Sequence, residues 1–431
     1  MPIPSLSPSA ATLCFLLILL VPAAVAGLTL LNSGLGRCRS AAHVMMASLC
    51  VFAVTALVYV AVGFSWQGAV GRHAHLMVIG GRSWNWIAAE PFFLRGLRFD
   101  LSAESLLVLL QMFSVGLAAV IPLSAGSDRW RLGASCASSA LLAGFTYPLF
   151  AHWVWGGGWL AQLGTNCGLG RGFIDAGGAA TIQAVGGLAA LSITWILGPR
   201  LGKFSNDGIP AAIPGHNAVL ALSGCLLAWV GWIALNSAGA ILLAGVDPAS
   251  VVLIVINTTL SGAASCLTAA GLTRVRFGRP DASLTANGWM AGLVASSAAA
   301  PFLKPATAIL VGAVAGFLVL YAIDLLESRL SIDDPGGAIS VHAGGGILGL
   351  LAVSISAQSS AGQFLAQLAG ISTLLGFVLP LTYGLNWLLN RFYPQRISEE
   401  GERQGMDLHE LGAGAYPEFV VHSEEFTQRW N

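Results

Sequence analysis

Charged residues are scarce in this sequence of 431 residues. Lys and Arg together number 20, Asp and Glu also number 20, and these residues make up 9% of a chain that is 55% hydrophobic. A soluble domain carries about 25% charged residues. Most of the surface therefore cannot face water, and the chain is predicted to lie in a lipid bilayer, where only helices and closed barrels satisfy the backbone. The net charge of zero gives no support for a nucleic-acid partner.

Cysteine motifs and catalytic constellations are also missing. The seven cysteines include no CxxC pair, and most of them fall inside apolar runs. They are therefore interpreted as small buried hydrophobic residues, and no metal site or cofactor is expected. The predicted spans carry no nucleophile with a base and an orienting group, so an enzyme is not expected either.

What the sequence does contain is a series of long apolar runs, such as 11–31 and 44–64. Runs of this length are typical of membrane-spanning helices, because barrel strands would give short alternating segments. Eleven spans are predicted, centred near residues 20, 54, 112, 143, 187, 226, 260, 291, 315, 347 and 376. No Lys or Arg precedes the first run, so a retained first helix is predicted in preference to a cleaved signal peptide.

The basic residues predict the orientation of these spans. Fourteen of the 20 Lys and Arg residues follow an odd-numbered span, namely Arg37, Arg39, Arg129, Arg131, Arg200, Lys203, Arg274, Arg276, Arg279, Arg329, Arg391, Arg396, Arg403 and Arg429. Positive residues concentrate on the cytoplasmic side of a membrane. The N-terminus is therefore predicted outside the cell and the C-terminal tail in the cytoplasm.

Two segments of the chain match each other without gaps. Residues 175–187 and 334–346 each begin with an acid, Asp175 or Asp334, and carry a polar side chain eight residues later, Gln183 or His342. Units of five helices would place the second copy upside down in the membrane. Inverted repeats put the functional site at the repeat interface near the midplane. Gln183 and His342 are therefore predicted to line a pore together. Chance similarity between glycine-rich segments is the alternative.

Several short blocks, taken together in this order and spacing, resemble the ammonium transporter family (Amt/Mep/Rh). They are His152–Gly158, Asp175–Gly178, Pro214–Asn217, Gly231–Trp232 with Asn236, Asp333–Asp334, Val341–His342, and, in the tail, Ile397–His409 and Ala415–Pro417. The resemblance covers about residues 11–417.

The resemblance implies an all-α membrane protein with the ammonium transporter fold. A transmembrane domain, 1–390, would hold eleven helices: repeat one at about 11–198, repeat two at about 215–357 and an extra helix at about 363–390. Residues 391–431 would form a cytoplasmic tail. The family further implies a homotrimer in the cell (inner) membrane, with a pore in each protomer and a tail that can meet a PII-type regulatory protein.

The resemblance also implies a route for ammonium or ammonia. Ammonium would dock outside against Trp155, where a tryptophan ring attracts a cation. Asp175 would hold the backbone of this vestibule. Ammonium would then be deprotonated, and NH3 would pass along a hydrophobic pore lined by Gln183 and His342, because a dehydrated cation is far costlier there.

The sequence departs from the family pattern at several aligned positions. Gln183 stands where the first pore histidine is usual, and glutamine does not titrate. The entrance phenylalanines align with Ser114, beside Phe113, and with Leu235, and the cage serine aligns with Gly239. An entrance with fewer aromatic walls is therefore expected. These departures leave two alternatives open: an ammonium sensor with little flux, and a carrier of another small amine or neutral gas.

Overall fold

The computed structural model describes residues 6–356 and 360–416 and is dominated by apolar helices. Within those ranges, nine helices are long and apolar enough to cross a membrane. In chain order they are α1 (Pro8–Leu35), α2 (Cys38–Gln67), α3 (Ala103–Ala125), α4 (Leu132–Val154), α5 (Ala179–Leu197), α6 (Ala218–Ala244), α7 (Pro248–Phe277), α9 (Pro305–Ser328) and α11 (Ala361–Phe392). Two shorter helices, α8 (Ala282–Ser296) and α10 (Ile339–Ser354), lie between them.

These helices follow the order and positions of the predicted spans. The chain is thus a multi-pass, all-α membrane protein, as its composition and apolar runs predict. The two short helices fall on the predicted spans centred near 291 and 347. They are only 15 and 16 residues long, below the roughly 20 residues that usually cross a bilayer. The number of eleven crossings stays a prediction.

A β-hairpin occupies part of the long connection between α2 and α3. Strands β1 (Ala74–Ile79) and β2 (Arg82–Ala88) pair antiparallel across the turn at 80–81. Asn85 Oδ1 lies 2.8 Å from His152 Nε2, and Trp153 Nε1 donates to the Trp86 carbonyl at 2.7 Å. The hairpin is therefore tied to the end of α4 that immediately precedes Trp155.

Glycines allow α5 and α10 to cross in close contact. A Cβ atom placed on Gly187 would lie 2.3 Å from the Ala343 backbone nitrogen, and one on Gly346 would lie 2.4 Å from the Ala179 carbonyl oxygen. Both distances are too short for a methyl group. Small residues commonly serve this purpose between membrane helices. These two glycines occupy matched positions in the two similar segments, so each segment contributes a glycine to the crossing.

A buried network of charges joins the loops after α3, α5 and α9. Arg200 forms ion pairs with Asp333 at 2.9 Å and with Asp128 at 3.1 Å, and Arg129 Nη2 donates to the Asp333 carbonyl at 2.9 Å. Burial raises the pKa of the Asp333 carboxyl, but Arg129 and Arg200 outweigh this and lower it below its ordinary value. Buried charges are tolerated when they are paired in this way.

The C-terminal tail packs against the start of α2. Asp407 accepts hydrogen bonds from the backbone nitrogens of Ala42 (3.2 Å) and His43 (2.7 Å), and Glu410 lies 2.8 Å from His43 Nε2. The short helix Glu399–Gln404 precedes these contacts. The predicted tail continues to residue 431, but its part from Pro417 onward lies outside the described residues.

Candidate functional site

The two matched segments open α5 and α10 in the same manner. The Asp175 carboxylate accepts hydrogen bonds from the backbone nitrogens of Gly178 (3.0 Å), Ala180 (3.0 Å) and Thr181 (2.9 Å). The Asp334 carboxylate accepts from the nitrogens of Ala338 (3.0 Å) and Ile339 (2.7 Å). A carboxylate satisfies the free N–H groups at a helix start and is stabilised by the helix dipole. Each acid therefore holds the start of one helix.

Both helices then begin with a π-helical turn that carries the polar residue of interest. These turns are Ala179–Ala184, which contains Gln183, and Ile339–Gly344, which contains His342. π-Helical turns are rare and occur frequently at functional sites. The shared offset between acid and polar residue thus corresponds to a shared local structure.

Gln183 and His342 meet where α5 crosses α10. His342 Nδ1 lies 2.8 Å from Gln183 Oε1, and both side chains are buried. Among the described residues, the buried Gln183 Nε2 has no hydrogen-bond partner. The Trp232 ring lies alongside, with its centroid 6.4 Å from that of His342, and its Nε1 donates to Ser297 Oγ at 3.1 Å. An aromatic ring is therefore one of the buried neighbours of the pair.

A cavity of about 60 Å³ lies near the start of α5. Trp155, Arg171 and Asp175 are among its lining residues. Trp155 Nε1 donates to the Asp175 carbonyl at 2.8 Å, which orients the indole ring. The cavity is large enough for a few water molecules or one small ion.

Comparison with known proteins identifies the family. The family model described as Ammonium Transporter Family matches residues 11–416, which is nearly the whole chain. The chain belongs to the ammonium transporter family. This is a family of transporters and not of enzymes.

Relatives and solved structures agree with this family assignment. The chain is 35% identical over 421 residues to ammonium transporter Amt2 of Archaeoglobus fulgidus, with 93% of this chain and 86% of that protein covered. It is 30% identical over 418 residues to an ammonium transporter of Bacillus subtilis, covering 93% and 97%. A solved structure titled "Sensor Amt Protein" superposes with a TM-score of 0.83 at 27% identity, covering 93% and 97%. Candida albicans Mep2 shares the fold, with a TM-score of 0.77, 24% identity and coverage of 95% and 90%.

Some of the predicted entrance residues of this ammonium transporter family member lie at or beside the cavity, and others lie away from it. Trp155 and Asp175 line the cavity, and a Cβ atom on Gly239 would lie 2.5 Å from the carbonyl oxygen of Ala176, the residue after Asp175. Ser114 and Leu235 are buried and are not part of the cavity lining. Ser114 Oγ donates to the Leu110 carbonyl at 2.8 Å.

Phe113 also lies away from the cavity lining. Its ring stacks on Phe52 of α2 with a centroid distance of 6.3 Å and an interplanar angle of 24°. Phe113 therefore contacts α2 in this structure, and its place at the entrance stays a prediction.

Two aromatic residues that the sequence did not indicate line the cavity. Phe173 belongs to the segment between Trp155 and Asp175, and Phe302 follows α8. With Trp155 they give the cavity three aromatic residues. The expected shortage of aromatic rings therefore applies to the aligned entrance positions and not to the cavity lining. No local motif marks either phenylalanine, because both reach the cavity through loop geometry.

Proposed function

We propose that this protein conducts ammonia derived from ammonium through a pore in each protomer. The observation that carries the proposal is the buried contact between Gln183 and His342 on two helices whose starts are built alike. Trp155 and Asp175 line a cavity near the start of one of these helices. The two matched segments also support two inverted repeats, at about 11–198 and 215–357, with an additional helix at about 363–390.

The cavity would hold ammonium before it loses a proton. The Trp155 ring offers cation–π attraction of about 0.5–2 kcal/mol. The oxygens of the Asp175 carboxylate are occupied by backbone N–H groups, so this acid positions the vestibule backbone. The proton of ammonium would pass to water in the vestibule, because burying an ion among apolar groups costs several kcal/mol. Neutral NH3 would then move past Gln183 and His342.

Flux of ammonia into proteoliposomes tests this proposal. Vesicles that enclose a pH-sensitive dye are mixed with ammonium chloride in a stopped-flow instrument, and entry of NH3 raises the internal pH. We expect alkalinisation faster than in protein-free vesicles, and a rate that falls at least tenfold toward that background in Asp175→Ala. A wild-type rate equal to the protein-free background would contradict transport.

An ammonium sensor is the second candidate function. It is favoured by the structural likeness to a protein titled "Sensor Amt Protein" and by the tail, which is held at several points on the bundle. Saturable ammonium binding measured by calorimetry in detergent, together with background flux in the vesicles, would support this alternative. Methylammonium in the same flux assay tests the third candidate, a carrier of another small amine.

The assembly, the orientation and the regulatory partner also remain proposals. Large apolar side chains on α6 and α7 are exposed on a single protomer, including Val219, Leu226, Val252 and Leu267. Lipid and neighbouring copies in a homotrimer would cover them, and native mass spectrometry should give a mass close to three chains of 44.5 kDa.

The basic loops support a cytoplasmic tail, with the N-terminus outside the cell (inner) membrane. Protease added to spheroplasts should leave an epitope tag at the C-terminus intact and remove a tag at the N-terminus. A PII-type protein that recognises this face should co-elute with the detergent-solubilised transporter. Deletion of the tail from residue 391 should abolish that co-elution.

A further inference from the structure

The contact between Gln183 and His342 decides which nitrogen of the imidazole is left to receive a transported molecule. We infer that Gln183 fixes this choice and thereby makes the pore a conductor of neutral ammonia that moves no proton with it. This inference rests on the proposed function and deepens it, because it specifies the chemical form that passes and the charge that moves.

The hydrogen-bond geometry defines the protonation of His342. An amide oxygen has lone pairs but no hydrogen, so it can only accept. Since Gln183 Oε1 lies 2.8 Å from His342 Nδ1, the proton of a neutral imidazole must be on Nδ1. The other ring nitrogen, Nε2, then carries the lone pair. Among the described residues, His342 takes part in no ion pair that would favour a charged ring.

The pair is complementary to ammonia and not to ammonium. It combines an acceptor, His342 Nε2, with a donor, the buried Gln183 amide nitrogen, which has no hydrogen-bond partner in the part of the chain that the structure describes. NH3 has three N–H groups and one lone pair, so it can donate to the imidazole and accept from the amide. NH4+ has four N–H groups and no lone pair. It would leave the amide N–H unsatisfied, and an unsatisfied buried donor costs about 1–3 kcal/mol.

A proton cannot cross this point by way of the two side chains. Protonation of His342 at Nε2 would have to be followed by release of the Nδ1 proton to Gln183, but the amide oxygen does not titrate. The carboxylates of Asp175 and Asp334 accept hydrogen bonds from backbone N–H groups at the starts of their helices. No hydrogen bond joins either carboxylate to His342 in the described part of the chain.

The protons therefore balance separately on each side of the membrane. On the docking side, an N–H bond of NH4+ breaks and water takes the proton, which gives NH3 and H3O+. On the other side, NH3 takes a proton from water and regenerates NH4+ with release of OH−. Only NH3 crosses, so the net transported charge is zero.

Two measurements on the same proteoliposomes test the inference. Stopped-flow alkalinisation reports entry of NH3, and current on a solid-supported membrane after an ammonium pulse reports transported charge. We expect alkalinisation above the protein-free background and no ammonium-evoked current from the wild-type protein. A wild-type current that accompanies the flux would overturn the inference while leaving transport intact. If the wild-type protein gives neither alkalinisation above the background nor a current, the proposed function and the inference are both wrong.

Two variants test whether Gln183 itself prevents protons from crossing with ammonia. Gln183→Glu keeps an oxygen acceptor of the same length but adds a group that can titrate, and Gln183→His adds a second imidazole. We expect an ammonium-evoked current in at least one of them. If both variants conduct ammonia without current, Gln183 is not what prevents proton movement. Size-exclusion profiles matching the wild type establish that each variant is folded.

A spectroscopic measurement tests the fixed tautomer independently of flux. Nitrogen-15 spectra of histidine-labelled protein in lipid, compared with His342→Asn, identify the His342 signals. We expect the Nδ1-protonated neutral form in the wild type and a mixture of the two neutral forms in Gln183→Leu, which lacks the acceptor. An Nε2-protonated ring in the wild type, or an unchanged spectrum in Gln183→Leu, would overturn the positioning role.

Discussion

Trp155 combines two tasks in one side chain, because its ring lines the cavity and its N–H holds the Asp175 carbonyl. The sequence block that contains Trp155 predicted this residue at the entrance. Its hydrogen bond to the Asp175 carbonyl was not predicted, because the end of α4 and the start of α5 come together only in the folded chain. The same limit applies to Phe173 and Phe302, which contribute to the cavity only after their loops have folded over it.

Substitution of Trp155 by leucine should weaken ammonium docking without unfolding the protein. Loss of the aromatic ring removes cation–π attraction of about 0.5–2 kcal/mol, which corresponds to a roughly 2- to 30-fold higher half-saturating ammonium concentration. The stopped-flow assay at several ammonium concentrations measures this value. Trp155→Phe, which keeps a ring but loses the N–H, should lie between leucine and the wild type. Equal values for all three proteins would exclude a role for the ring.

At the scale of helices, the apolar runs were sufficient to predict where the nine long helices of the described residues lie, because a membrane helix needs a long continuous apolar segment. The hairpin of β1 and β2 was not predicted, since two short strands in a long loop leave only a weak pattern. The close crossing of α5 and α10 was predicted only in part. The repeated segments indicated that Gln183 and His342 meet, but the distance between them depends on backbone contact at Gly187 and Gly346.

Gly187→Ala should separate these two helices. The added methyl group would lie 2.3 Å from the Ala343 backbone nitrogen, which is backbone and cannot rotate away. Overpacking of this kind costs about 1–3 kcal/mol. We expect a lower unfolding temperature in detergent and a loss of ammonia flux, because the Gln183–His342 contact depends on the crossing.

Gly384→Ala is the matched control for this prediction. Gly384 lies within α11, and a Cβ atom there would meet no atom of the described ranges 6–356 and 360–416 within 4 Å. Its replacement should leave flux unchanged and should not lower stability, since alanine is the better helix former. Equal behaviour of the two variants would show that space at the crossing is not the deciding factor.

At the scale of the whole molecule, the tail connects distant parts of the chain. Glu410 accepts from the Leu132 backbone nitrogen at 2.8 Å and lies 2.8 Å from His43 Nε2. Burial raises the pKa of the Glu410 carboxyl, but the hydrogen bonds from His43 and Leu132 and the nearby charge of Arg131 lower it further than burial raises it. The net direction is downward, so the docked tail favours the ionised carboxylate.

Tail docking should therefore depend on pH through Glu410. A carboxylate with a lowered pKa stabilises the docked form above the ordinary glutamate pKa of about 4.3, and this contribution is lost as the pH falls through the lowered value. Hydrogen exchange of residues 399–416 measures the docking. In Glu410→Gln at neutral pH we expect exchange roughly fivefold faster, since about 1 kcal/mol is lost with the charge.

In Glu410→Gln, hydrogen exchange of residues 399–416 should also depend less on acidic pH, because the titrating carboxyl at this position is gone. Glu399→Gln is the matched control, because Glu399 begins the short tail helix, is exposed and, within the described residues, forms its one ion pair with Arg403 of the same helix. It should exchange like the wild type. Unchanged exchange in Glu410→Gln would mean that the other contacts of the tail are sufficient to hold it.

The sequence by itself determined that this chain is a helical membrane protein, where its helices lie and which family it belongs to. Those properties depend on composition, on the length of apolar runs and on short motifs, all of which are local. The tertiary structure alone decided that Gln183 accepts from His342, that Phe113 turns toward Phe52, and that loop residues complete the cavity. These properties depend on the close packing of segments far apart in sequence, which no single segment encodes.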